Sequence, residues 1–373
     1  MINKSTPYNS LPFLPPPKDI DLESKNILKK LVSAKEKLAE LKGYSELLPN
    51  KNIILSIIVL QESKDSSEIE NIVTTYDELY ISAVLGKKII SPRAKEVLNY
   101  RKALYKGLEL IGKNKLLTVH SIIEIQKNIM DNDAGIRKLP GTKLINDLTK
   151  EVRYTPPDNG KAILDLLKNL EEYINTDIDG GAGSTDPLIK SAVIHYQFEA
   201  IHPFYDGNGR TGRIIIVLYL ILKGLLNEPF LYVSRYIIGN KARYYKLLHD
   251  VTYKNKWEDW IIFILDSVKC TSEDILKMSK SIINLINKTD GILKYNLPKI
   301  YSKELINLIF SNVYIKINDL VENKIASRNI ASKYLSELYR INILQKQKIG
   351  KENIYINTEL FNLIKSLRSQ AGS

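Results

Sequence analysis

Apolar residues recur at helical spacing along most of this chain, and the interruptions are short. From 23 to 41, Ile27, Leu28, Leu31, Leu38 and Leu41 sit among lysines and glutamates as one face of an amphipathic helix, with Gly43 as its expected stop. Residues 52–61 are an apolar run. Ser66 and Ser67 then read as the cap of a second helix, where Ile69, Ile72, Val73, Tyr76, Leu79 and Tyr80 form a stripe through 68–80. Pro92 opens a long helical pattern to Leu110, and Thr118 to Met130 is another. The pattern breaks over 135–157, where Pro140-Gly141 is turn chemistry and the flanking segments around Leu144-Ile145 and Val152-Tyr154 suit a hairpin. Helical spacing resumes at 160–174 and, after a turn at Gly180–Gly183, at 188–201, 210–222, 240–251 and from Trp257. The fold class expected is mainly α with one small hairpin.

The tail has its own rhythm. Helices at 302–310, 317–321 and 327–339 precede a basic loop, Gln345 to Lys351, and a short strand at Tyr355-Ile356. That is the order of a winged helix-turn-helix module. Between Tyr314 and Lys351 eight Lys/Arg face three Asp/Glu, which admits DNA as a partner of this module. Composition adds little more. The 373 residues suit two or three domains, 44% hydrophobic content supports real cores, and a net charge of +12 fits an acidic partner or simply a lysine-rich surface. A lone cysteine, Cys270, excludes an internal disulfide framework. Neither a leader pattern nor an apolar run of about 18 residues appears, so the expectation is a cytoplasmic protein with no membrane span.

One segment concentrates the chemistry: His202-Pro-Phe-Tyr-Asp206-Gly-Asn-Gly-Arg210-Thr-Gly-Arg213. Gly207 and Gly209 flank Asn208 and permit a tight turn with open N–H groups. A helix starting near Arg210 puts those groups at its positive end, a seat for phosphate. Arg210 and Arg213 are three apart, so both are expected to face one bound anion. Asp206 is placed for a divalent cation that keeps phosphate and water in most of its shell. His202 is the residue able to take a proton near neutral pH. The chemistry implied is transfer from a magnesium nucleotide to a protic acceptor.

The same segment resembles the signature of the Fic (filamentation-induced-by-cAMP, Fic/Doc) family, His-Pro-Phe-x-Asp/Glu-Gly-Asn-Gly-Arg-x-x-Arg, at every defined position. The resemblance implies a protein adenylyltransferase that moves AMP from ATP to a Ser, Thr or Tyr hydroxyl. His202 becomes the general base, Asp206 the Mg²⁺ ligand, and Gly207, Asn208, Gly209, Arg210, Thr211, Gly212 and Arg213 the nucleotide-binding segment. Arg213 is expected to reach the terminal phosphate. Tyr244 is carried to the adenine ring, and Lys143, Leu144, Ile145 and Asn146 to a flap that holds the target segment by strand addition. Ser66-x-x-x-Glu70-Asn71 resembles the family's inhibitory motif, with Glu70 pairing to Arg213 and denying it to the γ-phosphate. The organisation expected is an N-terminal arm and helical region, 1–100, carrying an inhibitory helix at about 66–80. A Fic-type core follows over 101–270 (flap 135–157, motif 202–213), then a helical linker at 271–297 and the winged-helix module at 298–373. Partners expected are ATP and a target protein, which includes the chain itself, with DNA and a second copy as further candidates. Two alternatives stay open: a Fic enzyme using another phosphate-containing donor, and a DNA-binding regulator whose Fic domain senses a nucleotide.

Overall fold

The computed structural model describes residues 3–48, 50–85, 91–145, 150–176, 185–349 and 352–369. Its first half is helical: α1 (Lys25–Glu46), α2 (Lys51–Ile69), α3 (Tyr76–Leu85), α4 (Pro92–Asn114) and α5 (Val119–Met130). A hairpin, β1 (Leu144–Ile145) and β2 (Val152–Tyr154), precedes α6 (Gly160–Asn175), α7 (Pro187–Ile201), α8 (Asn208–Leu222), α9 (Val233–Gly239), α10 (Lys241–Lys254) and α11 (Trp257–Asn296). The tail runs α12 (Lys303–Ser311), β3 (Tyr314–Ile315), α13 (Ile317–Glu322), α14 (Arg328–Arg340), β4 (Gln345–Ile349), β5 (Glu352–Ile356) and α15 (Thr358–Ser369). The helices start where short polar side chains can accept a first-turn N–H. Ser91, Thr118, Asn159 and Asp186 all do so, and Pro92 and Pro187 occupy first positions that need no donor.

At the centre lie α7 and α8, packed on each other and buried nearly all round, as helices apolar on every face must be. Trp260 of α11 locks onto α7 by donating Nε1–H to the Ala192 carbonyl at 2.8 Å. Gly107 of α4 lets that helix approach α8 closely, since a Cβ there would meet Leu218 Cδ1 at 2.5 Å. The N-terminal arm seams the hairpin to the bundle: Tyr8 N–H donates to the Thr155 carbonyl at 3.1 Å, and Leu14 exchanges two hydrogen bonds with the Asn169 amide.

Several expectations change. Helix α1 runs through exposed Gly43 to Glu46, so the glycine is no stop. The apolar run 52–61 and Ser66-Ser67 belong to one helix, α2. Ser66 is inside its last turn and Glu70 is its C-terminal cap residue, not the first turn of a helix over 68–80. Ser63 and Ser67 bond back within the helix, Ser67 Oγ donating to the Ser63 carbonyl at 2.8 Å, so neither caps a new one. Residues 271–296 are the latter part of the 40-residue α11, and Leu297 caps it. Gln345 to Ile349 of the expected basic loop is strand β4, while 350–351 and the expected turn at Gly180–Gly183 lie outside the described residues.

The tail's sheet is antiparallel in the order β3-β5-β4, which with α12, α13 and α14 gives the winged-helix order. This module docks on the segment that ends in Glu70. Helix α12 packs on α2, Gln61 reaches the Ile364 carbonyl at 3.5 Å, and Tyr314 Oη donates to Asp77 at 2.6 Å. Tyr314 also stacks on Tyr80 of α3 at a centroid distance of 5.5 Å. A chain ended at Leu297 therefore uncovers α2 and α3. We expect it to melt at a lower temperature and to be cut faster by protease between α2 and α3 than the full chain. Equal melting and cutting would mean the docking stabilises neither helix.

Candidate active site

The chain between α7 and α8 is pinned from outside. His202 ends α7 in a left-handed conformation (φ 49°), which turns the backbone out of the helix. Arg137, 1% exposed, holds that turn: its Nε donates to the His202 carbonyl at 2.7 Å, its Nη2 to the Ile201 carbonyl at 3.3 Å and also to the Pro157 carbonyl. The Asn208 side chain closes the loop by bonding both N–H and carbonyl of Phe204, at 2.9 and 2.8 Å. Gly207 supplies the positive φ (81°) that starts α8. The first intrahelical bond is Thr211 N–H to the Gly207 carbonyl, so the amides of Asn208, Gly209 and Arg210 precede any helical acceptor. The positive end of α8 is thus formed beside His202.

Arg213, one turn on and 1% exposed, faces the end of α2. Its Nε donates to Ser66 Oγ at 2.8 Å, and its Nη2 to the Ser66 carbonyl at 2.9 Å and to Glu70 Oε1 at 2.8 Å. Burial works against the guanidinium's charge, but Glu70, then Tyr244 and Glu199, hold its pKa above the ordinary value. Glu70 reaches this place as the residue that caps α2 (φ -89°, ψ 20°), and Asn71 after it takes a left-handed backbone (φ 63°) that turns the chain away from the helix. Gly209 must be glycine while Glu70 is in, since a Cβ there would collide with Glu70 Oε1.

A cleft of about 1070 Å³ opens over these residues. Helix α10 lines it along one face. Lys241, whose Nζ donates to Asn71 at 3.0 Å, marks the Glu70 end, while His249 and Tyr253 lie toward Arg153 of β2 and Lys4 of the arm. Leu144 and Ile145 of β1 form a side wall with Lys143, and β1 pairs antiparallel to β2 (Leu144↔Tyr154). Asn146 lies outside the described residues. Burial first, then the Arg137 charge, push His202 down to about 4, so its imidazole is neutral at pH 7. His195 is likewise pushed down to about 3, by burial and then by Arg213.

Not every expected residue joins the cleft. Arg210 and Arg213 do not share an anion site. Arg210 is turned toward α4 and α5, with Nη1 on Glu96 Oε2 at 3.1 Å and Nη2 3.6 Å from Asp206 Oδ1. Thr211 and Gly212 face neighbouring helices; a Cβ on Gly212 would meet Glu199 and Phe198 of α7. Tyr244 forms floor rather than a stacking surface. It is 1% exposed, its hydroxyl is 2.9 Å from His195 Nε2, and its ring is packed by Trp260, Phe263 and Tyr245. Its half-buried neighbour Tyr245 keeps ring surface for the cleft. Sequence reasoning missed Arg137, Tyr245 and Glu199. A lone carboxylate in an apolar helix, one turn before His202, was the available signal for Glu199.

Asp206 keeps its carboxylate 69% exposed, with Oδ1 accepting from Gly207 N–H at 2.5 Å. No cluster of three metal-type side chains exists among the described residues. One open carboxylate beside a phosphate seat does fit Mg²⁺, which binds proteins through one or two carboxylates and takes its other ligands from phosphate and water. No helix among the described residues is long and apolar enough to cross a membrane.

Comparison with known proteins finds family models along most of the chain. The Fic/DOC family N-terminal model matches residues 28–109, the Fic/DOC family model 116–220, and the C-terminal domain of SoFic-like protein adenylyltransferases 285–360. A probable protein adenylyltransferase of Aquifex aeolicus is 27% identical over 188 residues, 49% of this chain and 54% of that protein. Protein adenylyltransferase Fic of Nematostella vectensis is 31% identical over 147 residues, 38% of this chain and 31% of that protein. The chain thus spans about half or less of these relatives. A crystal structure of a Fic family protein from Desulfovibrio desulfuricans shares the fold at a TM-score of 0.57 and 18% identity, over 92% of this chain and 98% of that one.

Ser66→Ala leaves a buried Arg213 Nε–H without its acceptor. We expect a loss of about 1–3 kcal/mol in unfolding free energy, together with faster amide exchange at the end of α2. An unchanged denaturation midpoint would show that water replaces the hydroxyl without cost.

Proposed function

We propose, for a chain that belongs to the Fic/DOC family, that the cleft transfers AMP from Mg-ATP to a hydroxyl of a protein and that Glu70 holds this activity down. The observation that carries the reading is the Glu70–Arg213 pair at the mouth of the α8 amide cluster, with neutral His202 beside it. The length of the cleft along α10 supports an orientation. The triphosphate lies toward Arg213 and the α8 amides, and the base toward Tyr245 and β2.

In this reading the target hydroxyl oxygen attacks the α-phosphorus and the bond from that phosphorus to the α,β-bridging oxygen breaks. Pyrophosphate leaves. His202 takes the hydroxyl proton, and its pinned carbonyl keeps the imidazole at the edge of the cleft. The α8 amides face the negative charge that grows on the phosphoryl oxygens. Asp206 would hold Mg²⁺, which supplies charge neutralisation to the leaving pyrophosphate. The walls Lys143, Leu144 and Ile145 offer an edge for an extended target segment.

Inhibition follows from the acceptors. While Glu70 occupies Arg213, a γ-phosphate loses its guanidinium donor and meets a carboxylate. A misplaced triphosphate misaligns the α-phosphorus, and small misplacements of this kind can cost on the order of 100-fold in rate.

Two outcomes are expected. Glu70→Gly should raise transfer at least about tenfold, with label arriving from α-labelled ATP and none from γ-labelled ATP. Unchanged rates at saturating Mg-ATP would remove Glu70 from this role, and γ-label in product would change the reaction class. In the same background, His202→Ala should lower kcat by about 100- to 10,000-fold. Because His202 sits near 4 rather than the ordinary 6.5, its base form persists below neutrality. The kcat/KM profile should stay flat from pH 7 to about 5; an acid limb centred near 6.5 would mean that another group is the base.

A further inference from the structure

Glu199 has no part in the transfer chemistry above, yet it is built into the same cleft. It lies on α7 one turn before His202 and lines the cavity together with Glu70, Gly209 and Arg213. Its Oε1 is buried and makes no hydrogen bond among the described residues. A Cβ on Gly212 would stand 2.5 Å from that oxygen, so the carboxyl lies directly beside α8 one turn in from its start, next to Arg213. Two carboxylates thus approach one buried guanidinium. Glu70 holds Arg213 at 2.8 Å and takes the ionic role, so a second negative charge has no partner left.

We propose that Glu199 is a binding residue for the triphosphate in its neutral form, donating its carboxylic proton to a phosphate oxygen at the Arg213 end of the cleft. The inference rests on the nucleotide orientation argued above. An ionised Glu199 would repel the same oxygen, so the cleft accepts Mg-ATP while Glu199 is protonated and rejects it afterwards.

The surroundings agree. Burial first, and then the Glu70 charge, push the Glu199 carboxyl up to about 8, against the pull of Arg213. The groups facing it are Arg213 from α8, Glu70 from the end of α2, Tyr244 and Tyr245 from α10, and His195 and His202 on its own helix. Both histidines are neutral well below pH 7, and both phenols are pushed above their ordinary range. Glu62, pushed up to about 7 chiefly by burial, is a further carboxyl in the window. It is held by Ser234 and Tyr100 and does not line the cleft.

The test uses Glu70→Gly protein, with KM and kcat for ATP measured from pH 6 to 9.5. Losing Glu70 removes one cause of the upward shift, so the Glu199 transition there falls below about 8. Above it, KM should climb about tenfold per pH unit with kcat little changed. Adding Glu199→Gln keeps a neutral donor: KM should be a few-fold higher at pH 6.5 and the alkaline climb should vanish. Adding Glu199→Ala should raise KM at least about tenfold at pH 6.5, because the donor is gone. A climb that persists in the Gln variant, or an Ala variant with unaltered KM, overturns the inference. Should either double variant fail to fold, Mg-ATP titrated calorimetrically into Glu70→Gly protein at pH 8.5, in two buffers of unlike ionisation enthalpy, decides it. Uptake of close to one proton supports the proposal and none overturns it. No transfer by Glu70→Gly at any pH would sink the transferase reading instead, and the calorimetric result would still stand on its own.

Discussion

A guanidinium that cannot lose its proton is buried at the centre of this molecule, and most of the local architecture answers to it. Arg213 is 1% exposed, and an uncompensated charge at that depth would cost several kcal/mol. All three of its acceptors come from one place, the last turn of α2 and the residue that caps it. Helix α2 therefore has to end where it does, with Glu70 as its cap over α8 and Asn71 turning the chain away in a left-handed conformation. The rest of α2 is held in the same polar manner. Buried Glu62 accepts from Tyr100 and Ser234, Lys64 pairs with Glu68, and Asp65 lies 3.6 Å from Arg235. Such contacts fix position more than they add stability, because each repays a desolvation cost it created. The C-terminal module closes the outer side of α2 and α3, so the helix bearing Glu70 is held between α8 and the tail.

The long-range contact of this site was legible through resemblance. Ser66-x-x-x-Glu70-Asn71 matched the family's inhibitory motif, and the Glu70–Arg213 pair which that motif implies joins residues 143 apart in the chain. The helix that carries the motif was misread. Amphipathic periodicity reports one buried face, and α2 is buried on all sides through Ser67, so no stripe marks it. Serine is a common cap, but Ser63 and Ser67 bond back to carbonyls one turn earlier and let the helix continue. The same limit applies to Arg210. Three residues from Arg213 is about 60° around a helix, and Glu96 on α4 was enough to draw it to another face.

Other misses concern which member of a pair is exposed, and tertiary packing alone decides that. Tyr244 and Tyr245 are equivalent in sequence, yet Trp260 and Phe263 enclose the first and leave ring surface on the second. Arg137 follows the turn after α5 with nothing local to distinguish it, and its partners are carbonyls contributed by residues 157, 201 and 202. Backbone acceptors carry no sequence signature. Glu199 differs, because a carboxylate in a run as apolar as 188–201 contradicts its surroundings. That conflict between local rule and placement is what a functional position commonly shows.

Electrostatic bookkeeping at the cleft links these residues into one system. At its buried Arg213 end the positive groups are Arg213 and the α8 amides, and the histidines His195 and His202 contribute none because burial keeps them neutral. Against them stand two carboxylates, of which Arg213 can fully compensate one. In the proposed reading, Glu70 in place meets the charge balance within the protein, and an incoming phosphate finds its donors taken. With Glu70 out, the guanidinium and the helix end lack an anion, and the cost of leaving a buried charge unpaired falls on whatever can fill the gap. In the proposed reading a phosphate and an ionised Glu199 are then competitors for the same cation. Occupancy of the cleft is set by which negative charge Arg213 holds, and the protein offers it one from each side.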